Sequence, residues 1–275
     1  MTGTGVIAGG WDRRRLLLGL VAVVTGAVTL LVGFGLAIYF GITSSSSSDT
    51  TATTWMSGVV DGDLQVPDRG PGRRDQIAAV PMLAVTPADS RPTQPAATAA
   101  PPISIPASTE VGPAAVPTGF PHTPEGAVGQ LAAIEITVLQ AMSIAHTGEV
   151  YEQWAMSGGD VASWEMTQNV QAFLGAAEMG DHKDITTTVM AKPVAALVKG
   201  VGGPDWVVAC VLLDIRATIT AEARMGYGHC SRMQWVGERW MIAPGVPPAK
   251  APSTWPGSEL SIKAGWQSWV SEGRD

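Results

Sequence analysis

A single carboxylate on the apolar side of a predicted helix is the residue best suited to chemistry. Glu135 lies at helical spacing from Leu131, Val138 and Leu139, which predict the buried face of that helix. Burial among apolar side chains raises the pKa of a carboxyl group, so that it can act as an acid or a base. Pairing with an arginine, or a place at the edge of the core, would instead make Glu135 structural. We expect a cavity carboxylate and leave both roles open.

The common catalytic motifs are absent from the sequence. It has neither a glycine-rich phosphate loop ending in Lys-Ser or Lys-Thr nor a Gly-x-Ser-x-Gly nucleophile turn. The histidines His122, His146, His182 and His229 are scattered, and none has the spacing of metal ligands. We therefore predict a protein that is not an enzyme, with no cofactor and no metal site.

The two cysteines, Cys210 and Cys230, lie on either side of a predicted turn near residues 220–223. Strand parity puts both on the outer face of a hairpin, within reach of each other for a disulfide. Two free thiols are the alternative, since the register of the hairpin is open by two residues.

The elements that must position these residues indicate an α+β domain over residues 120–275. Thr123-Pro124-Glu125 is a helix start, and the pattern predicts three helices at about 124–143, 149–156 and 160–178. Strands follow at about 185–199, 205–220, 224–236 and 239–243, with alternating apolar residues typical of a curved antiparallel sheet with one wet face. A further amphipathic helix is predicted at 259–270.

Tryptophan is abundant in this predicted domain. Most of the indoles are expected in the core with a satisfied N–H. Trp255, Trp266 and Trp269 lie beyond the last predicted strand. We predict that these three form an exposed contact surface.

Residues 16–42 contain no charged side chain and exceed the roughly 20 apolar residues that span a bilayer as a helix. Arg13, Arg14 and Arg15 precede this run, which places the short N-terminal tail (1–15) in the cytoplasm and the rest of the chain outside. A cleaved signal peptide is the alternative, but its apolar region would be shorter and end in a small-residue cleavage site. We expect an uncleaved, single-pass signal anchor in the cell membrane.

Residues 43–119 are rich in Ser, Pro, Ala and Thr and predict a disordered linker. Closely recurring prolines disfavour a helix or a central strand there. Residues 76–85 are an apolar stretch within it, either a docking segment for a partner or an ordinary apolar patch.

The net charge of −7 argues against a nucleic-acid-binding surface, which needs clustered Lys and Arg. We therefore expect no direct contact with nucleic acid.

The order of tail, anchor, linker and outer domain of helices followed by a curved sheet resembles the scaffold proteins of conjugative type IV secretion systems. Residues 123–127 (Thr-Pro-Glu-Gly-Ala) through Phe173-Leu174 also resemble uncharacterised membrane proteins of actinobacterial integrative conjugative elements. The resemblance covers 16–42 and 120 to about 270. It implies the cone-like fold of nuclear transport factor two, a non-enzymatic assembly role, and as partners either further copies of the chain or other membrane proteins of the secretion apparatus. It carries no functional residue over to this chain.

Two alternatives to a scaffold remain. One is a surface-tethered cone-fold protein that binds a small molecule or catalyses a reaction, with Glu135 facing the cavity. The other is a module that binds lipid or wall in the cell envelope.

Overall fold

The computed structural model describes residues 71–273. The predicted membrane helix at 16–42, with Arg13, Arg14 and Arg15 before it, lies outside the described residues. Within 71–273, no helix has the length and apolar character needed to cross a membrane.

The described chain holds helices followed by a long-stranded sheet. The helices are α1 (Pro71–Ala79), α2 (Pro124–Ala141), α3 (Ile144–Trp154), α4 (Glu165–Ala176) and α5 (Glu259–Lys263). The strands are β1 (Pro102–Ile105), β2 (Glu110–Val111), β3 (Pro117–Thr118), β4 (Thr188–Val201), β5 (Trp206–Thr218), β6 (Glu222–Val236), β7 (Arg239–Ile242) and β8 (Gln267–Ser271). The predicted α+β class is confirmed.

Six strands form one curled sheet in the order β1-β8-β4-β5-β6-β7, and β2 pairs with β3 in a separate small ladder. Neighbours from β8 through β7 run antiparallel, whereas β1 pairs with β8 in parallel. The sheet is therefore mixed, whereas the sequence pattern predicted an antiparallel sheet. The difference arises because β1 comes from a part of the chain that the sequence pattern assigns to a linker.

The main core lies between the inner face of the sheet and α2, with α3 and α4 packed on α2. α2 begins where Pro124 follows Thr123, whose hydroxyl accepts a hydrogen bond from the amide of Gly126. Gly126 allows a close approach, since an added Cβ would lie 2.0 Å from the carbonyl oxygen of Pro121. The three predicted helices are present, although α3 begins at Ile144 and α4 follows a short 3₁₀ turn.

A second core covers one end of the outer face of the sheet. It is built from α1, from the chain after β7 and from the outward residues of β5 and β6. Its buried members are Ala78, Ala195, Trp206, Val208, Cys210, Leu212, Cys230, Ala243, Ala251 and Trp266. Asp75 on α1 pairs with Arg232 at 2.7 Å, and the Lys199 ammonium donates a hydrogen bond to the carbonyl of Ala78. Solvent is therefore excluded from this end of the outer face.

The prediction of a disordered linker is wrong for residues 72–119, which belong to the ordered domain. The prolines there lie in extended or 3₁₀ segments and in an edge strand, where no ladder hydrogen bond is lost. Ile103 and Ile105 point into the main core from β1, with only 8% and 1% of their surface exposed. Within residues 76–85, Ala78 and Met82 pack on the protein's own sheet and thus have an internal partner.

The predicted tail helix at 259–270 is only partly present. α5 ends at Lys263, and Gly265 adopts a left-handed backbone with φ of 88°. The chain then enters β8, which pairs with β4 and β1. Glycine therefore stops the helix inside the stretch whose apolar spacing suggested that it continued.

Cys210 and Cys230 lie directly opposite each other on β5 and β6 and form a disulfide. Both side chains belong to the second core, on the outer face, where the sulfur of Met82 lies 3.6 Å from that of Cys230. The disulfide thus joins two long neighbouring strands at the place where α1 and the segment after it cover the sheet.

Replacing both cysteines with alanine is expected to lower the free energy of unfolding by about 3 kcal/mol, because the crosslink closes a loop of 20 residues in the unfolded chain. Urea unfolding of the full chain in detergent, followed by tryptophan fluorescence, measures this. Reduced wild-type protein is the matched control and should lose a similar amount. Equal urea midpoints for oxidised wild type and the double variant would contradict the expectation.

Candidate functional site

The candidate site begins at Glu135, in the middle of α2. The apolar face of α2 turns this side chain onto the inner face of the sheet, where none of its surface is exposed. There its Oε1 lies 2.6 Å from Nδ1 of His229 on β6. Its Oε2 is also buried and has no hydrogen-bond partner among the described residues. Glu135 thus pairs with a histidine and lies fully inside the core. The sequence had suggested an arginine partner or a place at the edge of the core as the structural alternatives.

The second ring nitrogen of His229 faces another carboxylate. Nε2 lies 3.7 Å from Oε2 of Glu165, the first residue of α4, whose side chain is 38% exposed. Tyr227, two residues before His229 on β6, donates its hydroxyl hydrogen to Oε1 of Glu165 at 2.7 Å. The amide of Asn169 donates to the Tyr227 oxygen at 2.8 Å. Side chains from α2, β6 and α4 therefore form one connected polar cluster inside the apolar core. Its members are Glu135, Glu165, Asn169, Tyr227 and His229.

Burial and neighbouring charges shift the pKa values of the side chains in this polar cluster. Burial alone would lower the pKa of His229, but the charges of Glu135 and Glu165 and the hydrogen bond to Glu135 outweigh it and raise the pKa from 6.5 to about 9. Burial raises the pKa of Glu135, while the charge and hydrogen bond of His229 oppose that rise. Burial and the two carboxylates raise the pKa of Tyr227 well above its ordinary value. Tyr227 is a hydrogen-bond donor at all physiological pH values.

With a pKa of about 9, His229 is protonated at neutral pH, and its Nδ1 lies 2.6 Å from Oε1 of Glu135. An imidazolium has no free lone pair and cannot abstract a proton. The arrangement presents two donors, the His229 Nε2–H and the Tyr227 hydroxyl, toward the same point. Such a pair suits the binding of an acceptor or an anion more than general-base catalysis.

The raised pKa of His229 predicts a stability that depends on pH. Because the folded value of about 9 lies above the ordinary 6.5, the contribution is complete below pH 6.5 and is lost as pH rises through 9. Urea midpoints of the full chain between pH 6.5 and 9.5 should therefore fall more steeply for wild type than for His229→Gln. The difference between the matched chains removes the effect of titrating groups outside the Glu135–His229 pair. Parallel curves would contradict the assignment.

A narrow apolar pocket opens beside this polar cluster. It lies where α2 and α4 meet the ends of β4, β5 and β6, and it is lined by Leu139, Met142, Asn169, Ala172, Phe173, Val189, Ile215, Ala217, Met225 and Tyr227. Its cavity volume of about 40 Å³ has room for about three water molecules or a short alkyl group. Tyr227 and Asn169 give it a polar end. Neither Glu135 nor His229 lines this pocket, and the polar cluster contributes Tyr227 and Asn169 to its wall.

The predicted tryptophan surface is not one surface. Trp266 is buried, with 1% of its surface exposed, and its indole N–H donates to the carbonyl of Pro252, so it cannot contribute to an exposed contact. Trp255 is half-buried under the guanidinium of Arg224, and Trp269 is half-buried on β8 against the main core. A contact role for Trp255 and Trp269 stays a prediction.

Sequence reasoning found Glu135 but missed its partners. Tyr227 and His229 alternate with Cys230 and Arg232 along β6, so strand parity places them on the inner face, toward the helix that carries Glu135. That parity was a usable signal for His229. Glu165 and Asn169 gave none, since polar residues in the first turns of a helix are usually solvated.

Within residues 71–273, no group of three or more His, Cys, Asp or Glu side chains has the geometry to hold a metal ion. No known family model, curated protein or solved structure matches this chain.

Proposed function

We propose that this chain is a non-enzymatic, membrane-anchored scaffold subunit of a conjugative DNA-transfer apparatus of the type IV secretion kind. In this proposal residues 16–42 are the anchor, the N-terminus is cytoplasmic, and the domain lies outside the cell membrane. The curled sheet with helices on its inner face is taken as the cone-like fold. Further copies of the chain, or other membrane proteins of the apparatus, are its partners.

The observation that carries the proposal is the order of a charge-free apolar run, three arginines before it, and an outer domain of helices and curled sheet. The Cys210–Cys230 disulfide supports an extracytoplasmic location, since disulfides persist mainly in oxidising compartments. The use of 72–119 to build the domain shortens the spacer after the anchor to roughly 30 residues, a reach of about 30 Å for a flexible chain. The domain would then work close to the membrane, where other anchored subunits lie.

Crosslinking in intact cells, followed by purification from membranes and mass spectrometry, tests this proposal. The expected result is recovery of other secretion-apparatus subunits, including a coupling ATPase, with the wild-type chain. A chain whose residues 16–42 are replaced by an unrelated single-pass helix is the matched control and shows whether anchor or domain recruits them. If neither chain recovers a secretion-apparatus subunit, the proposal is contradicted.

One observation favours a second function, the binding of a small molecule. Tyr227 and Asn169 line the pocket, and the Tyr227 hydroxyl donates to the carboxylate of Glu165, which lies 3.7 Å from His229. Apolar walls with a few convergent polar groups are the usual make-up of a ligand site. We propose this binding as an addition to the scaffold role or as its alternative.

A further inference from the structure

The carboxylate of Glu165 lies where several donors converge. It accepts the Tyr227 hydroxyl at 2.7 Å and lies 3.7 Å from His229 Nε2. Asn169 donates to the Tyr227 oxygen and so leaves the Tyr227 hydrogen directed at the carboxylate. These groups form a receptor for one carboxylate.

Glu165 is not fixed in that receptor as firmly as the donors are. Its side chain is 38% exposed and belongs to the first residue of α4, whereas the His229 side chain is 9% exposed and pinned by Glu135. A rotation about the Glu165 side chain would move its carboxylate into solvent without moving α4 or β6. The donors would then face a free position.

We propose that this position is a binding site for a small monocarboxylate with a short apolar chain, whose carboxylate takes the place of that of Glu165. The inference rests on the second proposed function, ligand binding at this pocket, and names its ligand class. Tyr227 and His229 would bind the ligand's carboxylate, and Glu165 would be the internal group that the ligand displaces.

The two donors support an anion. With Glu165 in place, its carboxylate accepts from the Tyr227 hydroxyl and lies 3.7 Å from His229 Nε2. With Glu165 rotated into water, both donors would lose this acceptor, and the carboxylate of a ligand would replace it. A cationic ligand would offer no acceptor, and an alcohol would offer an uncharged one, which makes a weaker hydrogen bond.

The pocket supports a short apolar chain on this carboxylate. Tyr227 and Asn169 belong both to the donor group and to the pocket wall, so a ligand held by Tyr227 can extend directly between Phe173, Val189 and Met225. The cavity volume of about 40 Å³ limits that extension to about three carbon atoms. Butanoate has this size and is the probe of choice.

Isothermal titration calorimetry of the full chain in lipid nanodiscs tests the inference, with empty nanodiscs as the blank. Butanoate, butan-1-amine and butan-1-ol are titrated separately into wild type and into Glu165→Gln. Removal of the competing charge is expected to lower the Kd for butanoate about tenfold, the change that one charge-assisted hydrogen bond supplies. Glu152→Gln, an exposed carboxylate on α3, is the matched control and should leave the Kd unchanged.

Adding Tyr227→Phe to Glu165→Gln is expected to abolish the gain, with urea midpoints measured to verify folding. If Glu165→Gln does not tighten butanoate, or tightens butan-1-ol equally, the carboxylate inference is overturned while ligand binding at the pocket survives. If the amine binds wild type best, Glu165 is itself the receptor and the inference is again overturned. If none of the three probes binds any variant, the second proposed function falls with it, and the scaffold proposal is untouched.

Discussion

Replacing His229 with leucine is expected to lower the free energy of unfolding by about 3 to 5 kcal/mol at pH 7. The change leaves Glu135 fully buried with no partner for either oxygen. The carboxyl group can avoid a buried charge by taking up a proton, and doing so at pH 7 from an ordinary pKa of 4.5 costs about 3 kcal/mol. The lost hydrogen bond adds about 1 kcal/mol. Urea unfolding of the full chain measures the sum.

Glu135→Leu is the matched control, and we expect it to be milder. The imidazole left behind has an ordinary pKa of 6.5 and becomes neutral at pH 7 at little cost. The double variant, Glu135→Leu with His229→Leu, should recover most of the loss, because two apolar groups replace the ion pair. An equal loss in both single variants would contradict this account, since it would point to packing rather than to a stranded carboxylate.

The pH dependence of His229→Leu separates these explanations further. Burial raises the pKa of Glu135 in the folded chain, and without His229 nothing opposes that rise. The penalty for protonating Glu135 should therefore shrink as pH falls toward 4.5, where the carboxyl group also takes up a proton in the unfolded chain. A loss that stays constant between pH 7 and pH 4.5 would indicate a packing defect.

The inner half of the fold could be predicted from local sequence. Thr123 and Pro124 begin α2 by capping chemistry that depends on neighbouring residues alone, and the alternation along β5 identifies its core-facing side. The pairing of Glu135 with His229 joins residues 94 positions apart. No local pattern encodes such a separation, although strand parity along β6 could have placed His229 on the inner face. The sequence alone thus identified Glu135 but not the residues that form the site with it.

The outer half was mispredicted because its partner comes from a proline-rich stretch. Along β5, Val208, Cys210 and Leu212 face outward and are buried, whereas Asp214 and Arg216 face outward at the wetter end. That change from apolar to charged marks a sheet face that is covered at one end only. Which segment covers it depends on contacts such as Asp75 with Arg232, 157 residues apart, and composition alone favoured disorder there.

A chain that begins at residue 120, the boundary that the sequence pattern suggests, is expected not to fold. It lacks β1, whose Ile103 and Ile105 together contribute about 3 to 6 kcal/mol by burial, a loss comparable to the whole stability of a domain. It also lacks α1 and Met82, so that Trp206, Cys210 and Cys230 lose the apolar side chains that pack on them from that segment. The edge of β8 would in addition be unpaired, which favours aggregation.

Chains starting at 120 and at 71, both ending at 275, provide the comparison. The longer chain should unfold cooperatively in urea, with a midpoint near that of the full protein, and the shorter one should aggregate or unfold without a transition. Ile103→Ser with Ile105→Ser in the longer chain should reproduce much of the defect, whereas Ser104→Ala, on the exposed side of β1, should not. Matching midpoints for the two chains would mean that residues 72–119 lie on the domain without stabilising it. They would then be a spacer after all, and the spacer between the proposed anchor and the domain would be longer than the roughly 30 residues inferred above.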